Sequence, residues 1–128
     1  MPGSTIRVKR IYLPAEREDG LRILVDRLWP RGVKKERARV DLWMKDIAPS
    51  HTLRTWYGHD PARWMAFRER YLAELQQPDR QTSVQKLLTL ARQQPITLLF
   101  AARDEQRNHA VVLKEYLDSR AEPTPAPE

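Results

Sequence analysis

The sequence predicts a single α/β domain built on a small, mainly parallel sheet. Three observations predict it. Residues 21–26 and 96–102 are apolar almost throughout, as in strands covered on both faces. Between and after them lie segments with apolar residues at helical spacing. The chain has 128 residues, one ordinary domain, and can bury about two thirds of its unfolded surface without staples.

The elements follow in order. Ile6 and Val8 alternate with Arg7, Lys9 and Arg10, the period of a half-buried strand whose direction stays open. Pro14, Asp19 and Gly20 break it, and the apolar run over 21–26 is the first central strand. Residues 34–41 form a basic, solvated helix or loop, and 41–47 a short strand or extended piece that Pro49 stops. Ser50 caps a helix over 51–57 that ends at Gly58. Asp60 and Pro61 open the next, with Trp64, Phe67, Tyr71, Leu72 and Leu75 as its apolar stripe. Thr82 and Gln85 have capping-box spacing, which predicts a further helix start there, with Val84, Leu87, Leu88 and Ala91 inward and Pro95 as its end. The strand over 96–102 follows, then a polar loop and a last helix from Asn108 to about Ser119. Residues 1–120 are read as one domain and 121–128 as a disordered Pro-rich tail.

Composition narrows the function classes. There are no cysteines, which excludes disulfides, thiolate catalysis and Cys-ligated zinc, and agrees with a cytoplasmic location. The start of the chain lacks a signal-peptide pattern, and no apolar run approaches the ~20 residues of a membrane helix. The net charge is +6, which favours anionic partners such as nucleotides, phosphorylated metabolites or nucleic acid. Only four glycines are present, and no GxGxxG, Walker or GxSxG motif. Any phosphate must therefore be held by side chains and helix ends. His51 and His59 match no metal-ligand spacing, so no metal site is assigned. The sequence identifies no cofactor and no oligomeric state.

Ligands of open α/β sheets sit beyond the carboxyl ends of the strands. One strong strand ends in Asp26, Arg27, Trp29 and Arg31, and the other in Arg103, Asp104, Asn108 and His109. If the strands are parallel neighbours, the two clusters converge. Arginine forks bind phosphate or carboxylate, Asn108 at a helix start adds free N–H groups, and Trp29 offers an aromatic face. His109 can act as acid or base, tuned by Asp26 or Asp104. Each also has an ordinary role: Asp26 as an ion-pair partner, Asn108 as an N-cap, His109 as a packed imidazole.

The stretches VKRIY, GLRILVDRLWPRG, WMKDIAPS, LRTWYGHD, FRERYLAEL and TLLFAARDEQRNHAVVLKEYL span residues 8–117. In them the chain resembles the DUF488 family, in its short YeaO-like branch, whose function is uncharacterised. The resemblance implies a three-layer, Rossmann-like arrangement. The longer branch typically carries a VDVR-x-x-P-x-S stretch and a CxE…CHR stretch, which places Asp26, Pro30 and His109 at recurring positions. Asn108 stands where the longer branch has Cys, so thiol chemistry of that branch cannot operate here.

The first expectation is a protein that binds an anionic small molecule at the strand ends. If it is an enzyme, it is a hydrolase or transferase in which His109 is the acid/base, Asp26 and Asp104 its carboxylates, and Arg27, Trp29, Arg31, Arg103 and Asn108 the ligand contacts. The alternative is a nucleic-acid-associated or regulatory module using Lys34, Lys35, Arg37 and Arg39 with Arg7, Lys9 and Arg10 as a basic surface.

Overall fold

The computed structural model describes residues 5–121. The expected disordered tail falls outside them, apart from Ala121, which ends the last helix. Four strands form one sheet: β1 (Ile6–Arg10), β2 (Leu21–Leu24), β3 (Leu42–Trp43) and β4 (Ile96–Phe100). Their order is β1-β4-β2-β3, and every pairing is parallel. The two strongly apolar strands, β2 and β4, are thus central neighbours. The open question of β1 is settled by its register, with Ile6 opposite Ile96 and Arg10 opposite Phe100.

The helices are α1 (Lys35–Ala38), α2 (His51–Tyr57), α3 (Trp64–Leu75), α4 (Pro78–Gln93) and α5 (His109–Ala121). The expected caps form: Ser50 Oγ accepts from the Leu53 N–H, and Asp60 accepts from the Ala62 N–H. Two helix starts differ: Asp60 and Pro61 open a 3-10 turn, Pro61–Arg63, and α3 itself begins only at Trp64. α4 begins at Pro78, four residues before Thr82, because proline at the first helical position needs no N–H partner and is already at helical φ. Thr82 and Gln85 are two exposed side chains inside that helix.

Period-two alternation gives the sheet two different faces. Ile6, Ile23, Val25, Ile96, Leu98 and Phe100 lie in the main core with Phe67, Tyr71, Leu75, Val84, Leu87, Leu113 and Leu117 from α3, α4 and α5. The opposite layer is thin. Leu24 and Leu99 pack there with Ile11, Ala38, Trp29, Val33, Val40 and Trp43. The sheet is therefore flanked on both faces, but by unequal layers: four helices on one side, the short α1 and loops on the other.

Beside that thin layer the sheet buries charge. Asp19 and Arg22, both nearly inaccessible, meet at 2.5 Å, and Lys9 Nζ lies 3.2 Å from Asp19. Arg22 also donates to the Ala38 and Arg39 carbonyls, and Thr97 Oγ1 donates to the Asp19 carbonyl. Burial alone would raise the Asp19 carboxyl. The Glu16 N–H, Lys9 and Arg22 outweigh it and hold it below the ordinary carboxylate value. The next residue, Gly20, has φ +64°, and a Cβ there would stand 2.2 Å from the Pro95 carbonyl oxygen. Only glycine fits.

Asp19→Asn leaves the Arg22 guanidinium buried without a counter-charge and is expected to cost about 3–5 kcal/mol in chemical denaturation. The Asp19 contribution is complete above the ordinary carboxylate pKa of 3.8 and is lost as pH falls through the lowered folded value. The gap between wild type and variant should therefore narrow in acid.

Candidate functional site

The site grows out of the way β2 and β4 stop pairing. Val25 N–H donates to the Leu99 carbonyl at 3.1 Å, continuing the ladder one step past β2. In a regular parallel ladder the next bond would run from Ala101 N–H to the Val25 carbonyl. It is replaced by two side chains. Asp26 Oδ2 accepts from Ala101 N–H at 3.1 Å, and His109 Nε2 lies 3.0 Å from the Val25 carbonyl oxygen. A carbonyl only accepts, so His109 Nε2 carries a proton in this contact. Asp26 Oδ1 lies 3.1 Å from the same Nε2 without a well-aligned hydrogen bond. The N–H is directed at Val25, and the carboxylate supplies nearby charge. Both side chains are about 15% exposed, at 14% and 16%, so this clasp is largely shielded from water.

The other strand ends are capped in the same manner. Trp43 Nε1 donates to the Asp26 carbonyl at 2.8 Å, and Arg10 donates to the Ala101 and Ala102 carbonyls. Past the clasp the chains diverge and leave a cleft of about 740 Å³. That volume suits a small-molecule ligand, for which pockets of roughly 300–1,000 Å³ are usual. It is lined by Asp26, Ala101, Ala102 and His109 at the clasp, by Arg27, Leu28, Arg103, Asp104, Arg107 and Asn108 beyond the strand ends, and by α2 with Pro49, His59 and Phe67. The α2 wall is anchored from behind. Glu74 on α3 accepts from both Ser50 N–H and Oγ, Tyr71 Oη donates to Ile47, and Arg80 donates to Ala48.

Four arginines line the cleft, Arg27, Arg54, Arg103 and Arg107, against the carboxylates Asp26 and Asp104. The Nε groups of Arg27 and Arg54 are buried without a hydrogen-bond partner. Asp104 is bound to its own loop: the Gln106 N–H, the Arg107 N–H and the Arg107 side chain hold its carboxyl below the ordinary value. Burial raises the Tyr57 hydroxyl, and the nearby Asp104 charge adds to it.

Six of the eight residues expected from sequence meet here: Asp26, Arg27, Arg103, Asp104, Asn108 and His109. Asn108 serves as the N-cap of α5, accepting from Val111 N–H and donating to the Asp104 carbonyl, so it offers no open cradle. Trp29 and Arg31 are absent from the lining. Trp29 Nε1 donates to the Val33 carbonyl, and its ring packs edge-on against Trp43 in the thin layer, 5.5 Å between centroids. Arg31 is exposed, and its carbonyl accepts from Tyr12 Oη. The α2 contribution, His51, Arg54, Thr55 and Tyr57, was not expected. Its signal was the polar stripe His51, Arg54, Thr55 at i, i+3, i+4 beside the apolar Leu53 and Trp56.

The expected basic surface is divided. Lys9 pairs with Glu16 and Asp19, Arg10 caps carbonyls, and Arg7 donates to the Glu18 carbonyl. Lys34, Lys35, Arg37 and Arg39 remain exposed around α1. Among the described residues no group of three or more His, Asp or Glu is arranged to hold a metal ion, and no helix is long and apolar enough to cross a membrane.

The family model that matches residues 5–126 is described as the inactive DUF488-N3 subclade. The chain belongs to the DUF488 family. It is 47% identical over 114 residues to the uncharacterised protein YeaO of Escherichia coli K12, covering 89% of this chain and 97% of that one. It is 42% identical over 115 residues to the uncharacterised protein Rv3073c of Mycobacterium tuberculosis H37Rv, covering 90% and 95%. No solved structure matches significantly.

If Asp26 and His109 jointly replace the missing ladder bond, their effects on stability are coupled. Asp26→Ala and His109→Ala are each expected to cost about 1–3 kcal/mol, since each leaves a backbone group unpaired. The double variant should depart from their sum by at least about 0.5 kcal/mol in a denaturation cycle. Strict additivity would separate the two residues.

Proposed function

We propose that this cleft binds a phosphate-bearing small molecule, a nucleotide or phosphorylated metabolite, and that the protein works by binding rather than turnover. The observation that carries the reading is the pair of buried, unpartnered guanidinium Nε groups of Arg27 and Arg54 in a cleft where arginines outnumber carboxylates. Arginine forks bind phosphate bidentately, and an excess of guanidinium over carboxylate in the cleft favours an anion there. The site stands where a Rossmann-like domain would bind, beyond the carboxyl ends of the strands at their point of divergence.

Two observations favour binding over reaction. The His109 Nε2 proton is engaged by the Val25 carbonyl and Asp26 Oδ2 by the Ala101 N–H, so one atom of each group expected for acid–base work is held by the fold. The family description also calls the subclade inactive. Arg27, Arg54, Arg103 and Arg107 hold the anion in this reading, and Asp26 and His109 hold the cleft open.

Inorganic pyrophosphate is the direct probe. It should raise the thermal midpoint, with a stabilisation of about 2.7 kcal/mol at one hundred times its dissociation constant. Arg54→Ala and Arg27→Ala should each weaken binding at least tenfold, about 1.4 kcal/mol, without loss of fold. Absence of any shift at millimolar pyrophosphate in low salt, or unchanged affinity in both variants, would overturn the reading.

A further inference from the structure

We infer that the ligand is a free nucleotide, with its base against an aromatic wall formed by His59 and Tyr57 and its phosphate on Arg54 and Arg27. This rests on the anion-binding reading above and adds the substrate class.

The cleft is chemically two-sided. Besides the arginines, its lining includes Tyr57, Phe67, His59, Leu28 and Pro49. A bare phosphate or a phosphorylated polyol would meet the arginines and leave His59 and Leu28, the exposed members of this side, in water. A ligand with a planar, weakly polar ring and a phosphate uses both. The aromatic side is rigid. Tyr57 is buried and stacks on Phe67 at 4.4 Å between centroids and 21° between planes, and Trp64 stacks behind Phe67 at 5.8 Å. Against it leans His59, tilted 50° to Tyr57 with centroids 5.8 Å apart. Its ring is solvent-exposed at the cleft, free to take a second aromatic partner.

The backbone supports the same assignment. Among the described residues only Arg39 and His59 are non-glycine residues with positive φ, His59 at 59°. It follows Gly58, itself at 52°, so two left-handed residues in succession turn the chain at the end of α2 and carry the imidazole back over the cleft. Glycine or asparagine would take this conformation more easily. Strain of this kind concentrates at functional sites. Arg54 and Tyr57 are three residues apart on α2, about one helical turn, so the two poles lie on one face of one helix. A ribose bridges such a gap between base and 5′-phosphate. Stacking on aromatic side chains is general for bases, because every base has a π-face.

The test compares adenosine 5′-monophosphate with ribose 5-phosphate by calorimetric titration of the full chain, since the two differ only by the base. The nucleotide should bind at least tenfold tighter. His59→Asn, which keeps a residue suited to positive φ while removing the ring, should abolish most of that difference and leave ribose 5-phosphate affinity unchanged. Arg54→Ala should weaken both. In NMR spectra the His59 imidazole protons should shift upfield on adding the nucleotide. Equal affinity for the two probes would overturn the base assignment while leaving phosphate binding intact. No binding of either, together with none of pyrophosphate, would instead remove the anion reading itself. Tighter binding of a 5′-phosphorylated oligonucleotide than of the mononucleotide would overturn the free-nucleotide assignment.

Discussion

The cleft depends on one exchanged hydrogen bond. Where β2 and β4 would make their next ladder contact, Asp26 takes the Ala101 N–H and His109 takes the Val25 carbonyl. Each backbone group keeps a partner, as buried backbone groups must. The partners are now side chains, so the two backbones can part. A strand pair ended by water would fray. One ended by a carboxylate and an imidazole at about 15% exposure ends at a fixed residue and in a fixed direction. The exchange also ties the start of α5 to the end of β2, so the loop from Arg103 to Asn108 has both its ends anchored to the sheet.

The remainder of the fold serves that edge. The charged pair of Asp19 and Arg22 lies beside the opposite layer and joins β2 to the lead-in of its own strand and to α1, while Lys9 extends it to β1. The bonds from Glu74, Tyr71 and Arg80 to residues 47–50 aim α2 at the cleft. Removing a core apolar contact would lower stability everywhere. Altering these polar ties would change where the walls stand.

Much of this was legible in the chain. The apolar runs of β2 and β4 identified the central strands, because burial on both faces leaves no room for alternation. The strand-end rule then brought Asp26 and His109 together across 83 positions without any contact information. What stayed hidden is tertiary. Nothing local says that Ser50 meets Glu74, so the placement of α2, and with it Arg54 and Tyr57 in the cleft, could not be read. Trp29 was expected in the site as an aromatic face at the end of a strong strand. A bond to Val33 and the edge of Trp43 draw it into the thin layer instead. The start of α4 was misplaced because Thr82 and Gln85 mimic a cap on an exposed helical face, while the true start is set by Pro78.

Amide hydrogen exchange at Ala101 tests the exchanged bond most directly. Ala101 lies one residue beyond β4, and its N–H has no backbone acceptor, only Asp26. It should exchange as slowly as the amides of β4, and Asp26→Ala should release Ala101 and the following loop while the rest of β4 stays protected. Fast exchange at Ala101 in the wild-type protein, or protection unchanged in Asp26→Ala, would contradict the clasp and with it the origin of the cleft.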